Sequence, residues 1–387
     1  MVKAIKVMLI PNNVQKTKMF QYAGASRFAY NWALAREKEN YEKGGKFISD
    51  SELRKEFTKL RHSDEYAWLL NISNNVTKQA IKDACTAYKN FFKGLQKFPR
   101  FKSKKRSMPK FYQDNVKIRF SNTHVKFEGF SSSRKANKQK MNWVRLAEHG
   151  SIPTDAKYMN PRISFDGLNW WISVCVEFPD CRETLNDDGV GIDLGIKDLA
   201  ICSDGTKYKN INKSQKVKKL EKQKRRLQRS ISRSYEKNKK GESYCKTNNV
   251  IKKEKLLLKR NHRLTNIRKN YLNQTTSEIV NRKPRFICIE DLNVSGMMKN
   301  RHLSKAVQNQ GFFEFRKQLE HKCSDKGIQL IVADRFYPSS KLCSCCGNIK
   351  KDLKLSDRVY RCECGNMIDR DFQASINLKA YGERFAS

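Results

Sequence analysis

The sequence lacks long apolar runs, and no stretch approaches the roughly 20 residues that a membrane-spanning helix needs. It also lacks the pattern of a secretory signal. The apolar run after Met1 is short, contains two lysines and leads into Pro-Asn-Asn instead of a small-residue cleavage site. These absences exclude a transmembrane protein and predict a cytoplasmic one with no membrane partner.

Acidic residues are scarce. The chain has 39 Asp and Glu against 80 Lys and Arg among its 387 residues, which gives a formal net charge of +41. Self-repulsion makes such an excess costly for a compact protein unless a polyanion offsets it. The basic residues are spread along the chain instead of lying on one amphipathic helix. The charge therefore favours nucleic acid over an anionic membrane as the partner.

Five of the twelve cysteines lie close together near the C-terminus. Cys343 and Cys346 form a C-x-x-C pair, and Cys362 and Cys364 form a tighter C-x-C pair. A glycine follows each pair and lets the backbone turn beneath a metal ion. Four thiolates predict a structural Zn²⁺ site, a zinc ribbon, because the set leaves no open position for water. Unligated cysteines are the alternative, and the spare thiol of Cys345 could replace a neighbour.

Two segments concentrate the basic charge. Segment 91–140 holds fifteen Lys and Arg against two acids, with nine Phe and Tyr interleaved. Segment 213–269 holds twenty-two Lys and Arg against four acids. Its Leu and Ile residues recur at helical intervals, which predicts two long helices with a loop around 236–248. Solvated surfaces are the ordinary interpretation. The charge density favours contact with nucleic-acid backbones, and which rings stack on bases stays open.

The remaining elements follow from apolar periodicity and from breaks in it. The chain contains no internal repeat and no long low-complexity linker. The pattern predicts a strand at 2–10, helices from about 14 to 95, two short strands within 187–205, a buried strand within 284–296, a helix at 304–326, a strand and loop at 327–340, and a final helix from about 373.

Three carboxylates stand out because of where they occur. Asp193 lies within an apolar strand, Glu290 ends another, and Asp371 precedes the last helix with Asp369 two residues before it. Each has an ordinary interpretation, as a turn acid, a strand-end acid or a helix cap. Together, in so basic a chain, they form an acidic island whose hard oxygen ligands suit Mg²⁺ or Mn²⁺. Two such ions could support hydrolysis of a phosphodiester.

The order of four motifs resembles that in the TnpB proteins of bacterial insertion sequences, which are relatives of miniature type V CRISPR effectors. The motifs are GIDLG (191–195), IEDLN (289–293), the cysteine pairs preceded by PSSK (338–341), and DRDFQASINL (369–378). GASRFAYNWAL (24–34) and FPRFKSKK (98–105) extend the resemblance over essentially the whole chain.

The resemblance implies a multidomain α/β protein with a RuvC-like nuclease domain of RNase H type, into which the zinc ribbon is inserted. The implied catalytic and Mg²⁺-binding triad is Asp193, Glu290 and Asp371. The implied domains are a wedge-like β-barrel (1–10 and 96–185), a helical recognition lobe (11–95), the nuclease domain (186–334 and 369–387) with a basic helical hairpin (213–280), and the ribbon (335–368).

The resemblance also implies the function of an RNA-guided DNA endonuclease. Such a protein binds a guide RNA, finds double-stranded target DNA by a short flanking motif, and cleaves it. One departure concerns Gln373, where the family usually has Asn. Alternatives are an inactive RNA-guided DNA-binding regulator and a zinc-stabilised accessory protein of a transposon. A transposase itself is disfavoured, since the six histidines show no H-x-H pair.

Overall fold

The computed structural model describes residues 1–131, 141–179, 183–241, 243–354 and 357–386. The chain divides into two compact units, Met1–Pro179 and Asp180–Ser387. Helices and strands occur in both units, so the predicted α/β character is confirmed. In the described ranges, no helix is both long and apolar enough to cross a membrane.

The first unit is built on a seven-stranded sheet. Its strands are β1 (Val2–Ile10), β2 (Lys110–Tyr112), β3 (Arg119–Phe120), β4 (His124–Lys126), β5 (Trp143–Leu146), β6 (Tyr158–Phe165) and β7 (Trp170–Glu177). They are ordered β2-β6-β7-β1-β5-β4-β3. The predicted first strand is confirmed, and it pairs antiparallel with β7 along almost its full length. Ladder pairing among the described residues does not join β2 to β3, so closure into a barrel stays a prediction.

Helices cover this sheet. They are α1 (Asn13–Glu42), α2 (Asp50–Arg61) and α3 (Asn74–Phe92), with a 3-10 helix at Asp64–Asn71. A capping box between Asn12 and Gln15 starts α1, where it satisfies backbone groups that the first turn leaves unpaired. The ring of Tyr22 on α1 packs edge-on against Phe111 and Phe130. Helices and sheet therefore share one hydrophobic core.

The second unit contains a five-stranded sheet. Its strands are β8 (Val190–Leu194), β9 (Asp198–Cys202), β10 (Lys207–Lys209), β13 (Phe286–Glu290) and β14 (Gln329–Ala333), ordered β10-β9-β8-β13-β14. Strands β8, β13 and β14 are parallel, and β9 and β10 add antiparallel edges. Two further pairs are β11 (Lys239–Lys240) with β12 (Ser243–Tyr244) and β15 (Val359–Arg361) with β16 (Met367–Asp369).

The helices of this unit are α4 (Gln215–Lys237), α5 (Asn248–Asn281), α6 (Val294–Lys299), α7 (Ser304–Gln310), α8 (Phe312–Lys326) and α9 (Arg370–Glu383). Helices α4 and α5 are the two long basic helices that the sequence predicts. The single helix predicted at 304–326 is wrong in one respect, because Gly311 adopts a left-handed conformation (φ 74°) that separates α7 from α8.

The final helix begins earlier than the sequence predicts, at Arg370 instead of about residue 373. Asp369 causes this early start. Its side chain accepts hydrogen bonds from the backbone amides of Asp371 (3.1 Å) and Phe372 (3.0 Å), so Asp369 is the N-cap. Asp371 is therefore not a cap; it lies inside the first turn of α9.

Helix α9 packs directly on the sheet at Gly191 in β8. A Cβ atom added at Gly191 would lie 2.1 Å from the backbone oxygen of Ser375 and 2.3 Å from the backbone nitrogen of Lys379. Such contacts cannot occur without movement of the backbone. The absence of a side chain at Gly191 thus lets α9 approach the strand that carries Asp193.

Candidate active site and metal centre

Asp193 and Glu290 are neighbours at the carboxyl edge of the parallel strands. The pairing of β8 with β13 matches Ile192 to Ile289, so Asp193 and Glu290 are the next residue on each strand. The side chains that precede Glu290 in β13 are all buried, because helices cover both faces of parallel sheets. The structure therefore brings together two carboxylates that lie 97 residues apart in the sequence.

Asp371 approaches this pair from the first turn of α9. Its carboxylate lies 3.7 Å from Nε of Arg370 and 3.9 Å from a terminal nitrogen of Arg358. The negative charge of Asp371 contributes to raising the pKa of both Asp193 and Glu290, so the three carboxylates lie close enough to interact electrostatically. The three candidate catalytic residues thus come from β8, β13 and α9.

The electrostatics of this site favour a bound cation. Burial, followed by the negative charges of Glu290 and Asp371, holds the pKa of Asp193 well above its usual range. Burial also raises the pKa of Glu290, although hydrogen bonds with Ser339 and Asp193 oppose that shift. A divalent cation would relieve the repulsion, so the donor set fits Mg²⁺ or Mn²⁺. The carboxylates do not form as tight a group as the cysteines below.

The four predicted cysteine ligands lie together. The sulfur atoms of Cys343 and Cys364 are 3.6 Å apart, and those of Cys346 and Cys362 are 3.5 Å apart. All four sulfurs lie within 4.8 Å of one another, and among the described residues this is the one group of three or more potential ligands found close enough to share an ion. The quartet could therefore hold a metal ion. The spare Cys345 is exposed and lies outside this group.

Both cysteine turns have the backbone geometry of metal-binding knuckles. Gly347 (φ 73°) and Gly365 (φ 88°) adopt left-handed conformations that residues with a side chain rarely adopt. Burial opposes ionisation of Cys343, but hydrogen bonds from the backbone amide of Cys346 and from Asn366 lower its pKa to about 6. Ionisation gives the thiolate, which is the form of cysteine that binds a metal ion.

Gln373, the departure from the family pattern, joins α9 to the cysteine turn. It is fully buried, and its amide nitrogen donates to the backbone oxygen of Leu342 (2.7 Å). Its amide oxygen accepts from Ser344 Oγ (2.9 Å) and from the side chain of Asn366 (3.3 Å). Because Asn366 also lies 3.5 Å from the sulfur of Cys343, these contacts connect a cysteine ligand to the helix of Asp371.

A second amide on the same helix reaches the other side of the site. Asn377 donates to the backbone oxygens of Ser339 and Leu342, each at 2.7 Å. Ser339 in turn donates from Oγ to Glu290 at 2.8 Å. We call Gln373 and Asn377 the amide clamp. Neither Ser339 nor Asn377 is predicted from the sequence to have a role, although the four-residue spacing of the two amides on one helix is a usable signal.

The rings of the basic aromatic segment divide into two groups. Phe92, Phe98 and Phe101 are exposed, whereas Phe111, Phe120, Phe127 and Phe130 are buried in the core. Phe91 and Tyr112 are half-buried, so the three exposed rings offer the most surface for stacking in the described part of the segment; residues 132–140 lie outside the described ranges. In the other basic segment, α4 and α5 share a small core that includes Val217, Leu220 and Leu264.

Comparisons with known families match most of the chain. The family described as "Probable transposase" matches residues 173–301, "Cas12f1-like, TNB domain" matches 312–378, and "Helix-turn-helix domain" matches 1–46. In this structure residues 1–46 contain a strand and one long helix instead of a helix-turn-helix. The fold resembles that in "Cryo-EM structure of the Cas12f1-sgRNA-target DNA complex", with a TM-score of 0.59, 12% identity and coverage of 98% of both chains.

Named relatives align over nearly the full length. "Putative RNA-guided DNA endonuclease InsQ" of Escherichia coli is 30% identical over 400 residues, covering 98% of this chain and 92% of the relative. "Putative RNA-guided DNA endonuclease" of Streptomyces pristinaespiralis is 29% identical, covering 98% and 89%. The chain belongs to the TnpB family, also called the OrfB_IS605 transposase family, as its motifs predict.

Proposed function

We propose that this protein is an RNA-guided DNA endonuclease that hydrolyses phosphodiester bonds of target DNA next to a short flanking motif. The observation that carries the proposal is the convergence of Asp193, Glu290 and Asp371 in a chain of net charge +41. Full-length similarity to relatives named RNA-guided DNA endonucleases supports it.

The proposed catalytic centre is RuvC-like, and its three carboxylates would hold Mg²⁺ or Mn²⁺. When bound, such ions supply an activated water and stabilise the leaving oxygen. Asp193 and Glu290 present their oxygens from adjacent strands, while α9 carries Asp371 near them. Arg358 and Arg370, beside Asp371, carry positive charge suited to the phosphate that is to be cut.

The cysteine quartet is proposed to bind Zn²⁺ in a structural role, because four thiolates complete a tetrahedral shell. We assign residues 335–368 to this ribbon and residues 186–334 and 369–387 to the nuclease domain. Residues 1–10 and 96–185 are assigned to the wedge-like barrel, and 11–95 to the recognition lobe. Guide RNA and target DNA would contact the basic segments 91–140 and 213–269, where closely spaced cations suit phosphate backbones.

The proposal predicts that the purified protein carries a discrete RNA and uses it to cut matching DNA. Asp193→Ala, Glu290→Ala and Asp371→Ala should each reduce cleavage at least about 100-fold, since each removes part of a metal site that contributes several kcal/mol. RNA sequencing and gel assays with Mg²⁺ measure both outcomes. The matched control is Glu383→Ala, which removes an exposed acid from the same helix as Asp371.

Each alternative corresponds to a distinct result. Guided DNA binding without cleavage by the unmodified protein would identify an inactive regulator. Nucleic-acid binding with no discrete RNA would identify an accessory protein. Full cleavage by any one of the three carboxylate variants would remove that residue from the catalytic site.

A further inference from the structure

A cavity of about 220 Å³ opens beside Glu290. Apolar side chains such as Leu292 contribute to its lining, and Phe313, Arg316 and Arg335 line it from α8 and from the loop after β14. Drug-sized ligands occupy pockets of about 300–1,000 Å³, so this space suits a single ring system. Glu290 therefore has an adjoining compartment that the three carboxylates do not fill.

Phe313 differs from its neighbour in a way that packing does not explain. Both rings line the cavity, but Phe312 is 3% exposed and belongs to the core, whereas Phe313 is 64% exposed. A single exposed ring on a surface is ordinary. An exposed ring on the wall of a cavity next to a proposed catalytic carboxylate can instead stack against a flat ligand.

The two arginines are held in place by one acid. Asp291 forms ion pairs with Arg316 (3.0 Å) and with Arg335 (2.5 Å), one on each of its oxygens. Arg316 is held further by Glu320 at 3.1 Å. A guanidinium has five N–H donors, so these pairs fix the side chains while leaving donors for a phosphate. The rim of the cavity thus presents oriented positive groups.

We propose that this cavity is a nucleotide subsite for the DNA strand that is to be cut. One base would enter the cavity and stack on Phe313, and Arg316 and Arg335 would hold the adjoining phosphates. The scissile phosphodiester would then lie next to Glu290. Every base has a flat π face, so the subsite would anchor single-stranded DNA with little sequence preference. This inference deepens the proposed function and rests on it.

The first test needs no catalysis. RNA-loaded protein is irradiated with single-stranded DNA carrying one 5-iododeoxyuridine, with Ca²⁺ replacing Mg²⁺, and the crosslinked peptide is mapped by mass spectrometry. We expect a crosslink at Phe313 that is lost in Phe313→Ala and kept in Phe385→Ala, a variant at another exposed phenylalanine of the same unit. Crosslinks only at other sites, or none, would overturn the subsite whether or not the protein cuts DNA.

The second test uses guided cleavage. A series of substrates carries one abasic nucleotide at successive positions around the cut. With the unmodified protein, one position should raise KM about tenfold, the size of a base–aromatic stacking contribution of ~1.4 kcal/mol. Phe313→Ala should show the higher KM on every substrate and lose this position dependence, and Phe313→Tyr should restore it. The same position dependence in Phe313→Ala would contradict the subsite.

The two proposals fail differently. Absence of cleavage by the unmodified protein contradicts the endonuclease, and the crosslink still decides the subsite. If the unmodified protein cleaves DNA and Phe313→Ala keeps the position-dependent rise in KM with abasic substrates, only the subsite is contradicted. A crosslink from Phe313 to the bound RNA instead of the DNA would assign the cavity to the guide and overturn the proposal.

Discussion

Asp193 carries a charge that the metal-free fold disfavours. Its pKa in the folded state is raised above its pKa in the unfolded state. At pH values between these two pKa values, the folded state therefore binds more protons than the unfolded state. The contribution of Asp193 to stability is therefore present at low pH and is lost as pH rises through the raised pKa. Burial strengthens the attraction between the Asp193 carboxylate and a bound cation. The same burial makes the charged carboxylate destabilising when no cation is bound.

Asp193→Asn should consequently stabilise the protein at neutral pH without added Mg²⁺ while abolishing cleavage. We expect its Tm to rise by about 2–8 °C, roughly 1–2 kcal/mol, with the difference shrinking toward acidic pH. Adding Mg²⁺ should raise the Tm of the unmodified protein more than that of the variant. Differential scanning fluorimetry measures this, with Glu383→Gln as the exposed control. A lower Tm for Asp193→Asn at neutral pH would contradict the account.

Gln373 makes three side-chain hydrogen bonds that the shorter Asn side chain could not all make from the same position. Gln373→Ala removes three hydrogen bonds in a buried place and should lower the free energy of unfolding by about 1–3 kcal/mol. Because the clamp holds α9, the variant should also need more Mg²⁺ for half-maximal cleavage. Gln373→Asn should have a stability and a Mg²⁺ requirement between those of the unmodified protein and those of Gln373→Ala. An unchanged Mg²⁺ dependence in Gln373→Ala would limit the clamp to a structural role.

At the scale of elements, the cysteine turns and α9 behave as one assembly. The clamp joins them, and β16 ends at Asp369, which caps the helix that carries Asp371. Disturbing the cysteine quartet should therefore disturb the carboxylate site, although we propose that the two sites bind different ions.

Cys343→Ser should lose bound zinc, lower the Tm and reduce cleavage, because the turn that receives the clamp is no longer held. The matched control is Cys345→Ser, which should keep zinc and activity since Cys345 is exposed and outside the quartet. Metal analysis by mass spectrometry and cleavage assays measure these outcomes. Cleavage at the normal rate by a zinc-free Cys343→Ser protein would contradict the coupling.

The helical hairpin α4–α5 presents charges that its small core does not need. Replacing the exposed Arg225, Arg226 and Arg229 by Ala should weaken RNA binding and leave the Tm nearly unchanged. Each lost phosphate contact should reduce the slope of log Kd against log salt by about 0.7, so the total change should reach about 2. Filter binding at several salt concentrations measures the slope. The control replaces Lys38 and Lys43, which pair with acids on α1.

The elements that sequence reasoning found best are those with strong local signals. The basic helices and the apolar strands around Asp193 and Glu290 follow from periodicity alone. The break at Gly311 was missed because one glycine inside a helical pattern is usually tolerated. The early start of α9 was missed because the capping bonds of Asp369 depend on backbone geometry that composition does not show.

At the scale of the whole molecule, the sequence supplied candidates and the fold supplied their arrangement. Asp193 and Glu290 could be named because charged residues in apolar strands are rare. Their adjacency depends on parallel pairing between strands separated by a long basic hairpin, which no local pattern encodes. The same holds for the amide clamp and for the cavity at Phe313, since both are formed by segments far apart in the chain.

The direct junction of β16 with α9 also makes chain length a critical quantity. Only residues 365–370 separate the last cysteine ligand from Asp371, and clamp contacts or pairing with β15 fix most of them. One residue inserted there would turn the first helical turn by about 100° and point Asp371 away from the other acids. An insertion at the exposed turn of Lys351 and Asp352 would leave this spacing untouched. The short segment thus sets the distance between the cysteine quartet and the carboxylate site, the two proposed metal sites.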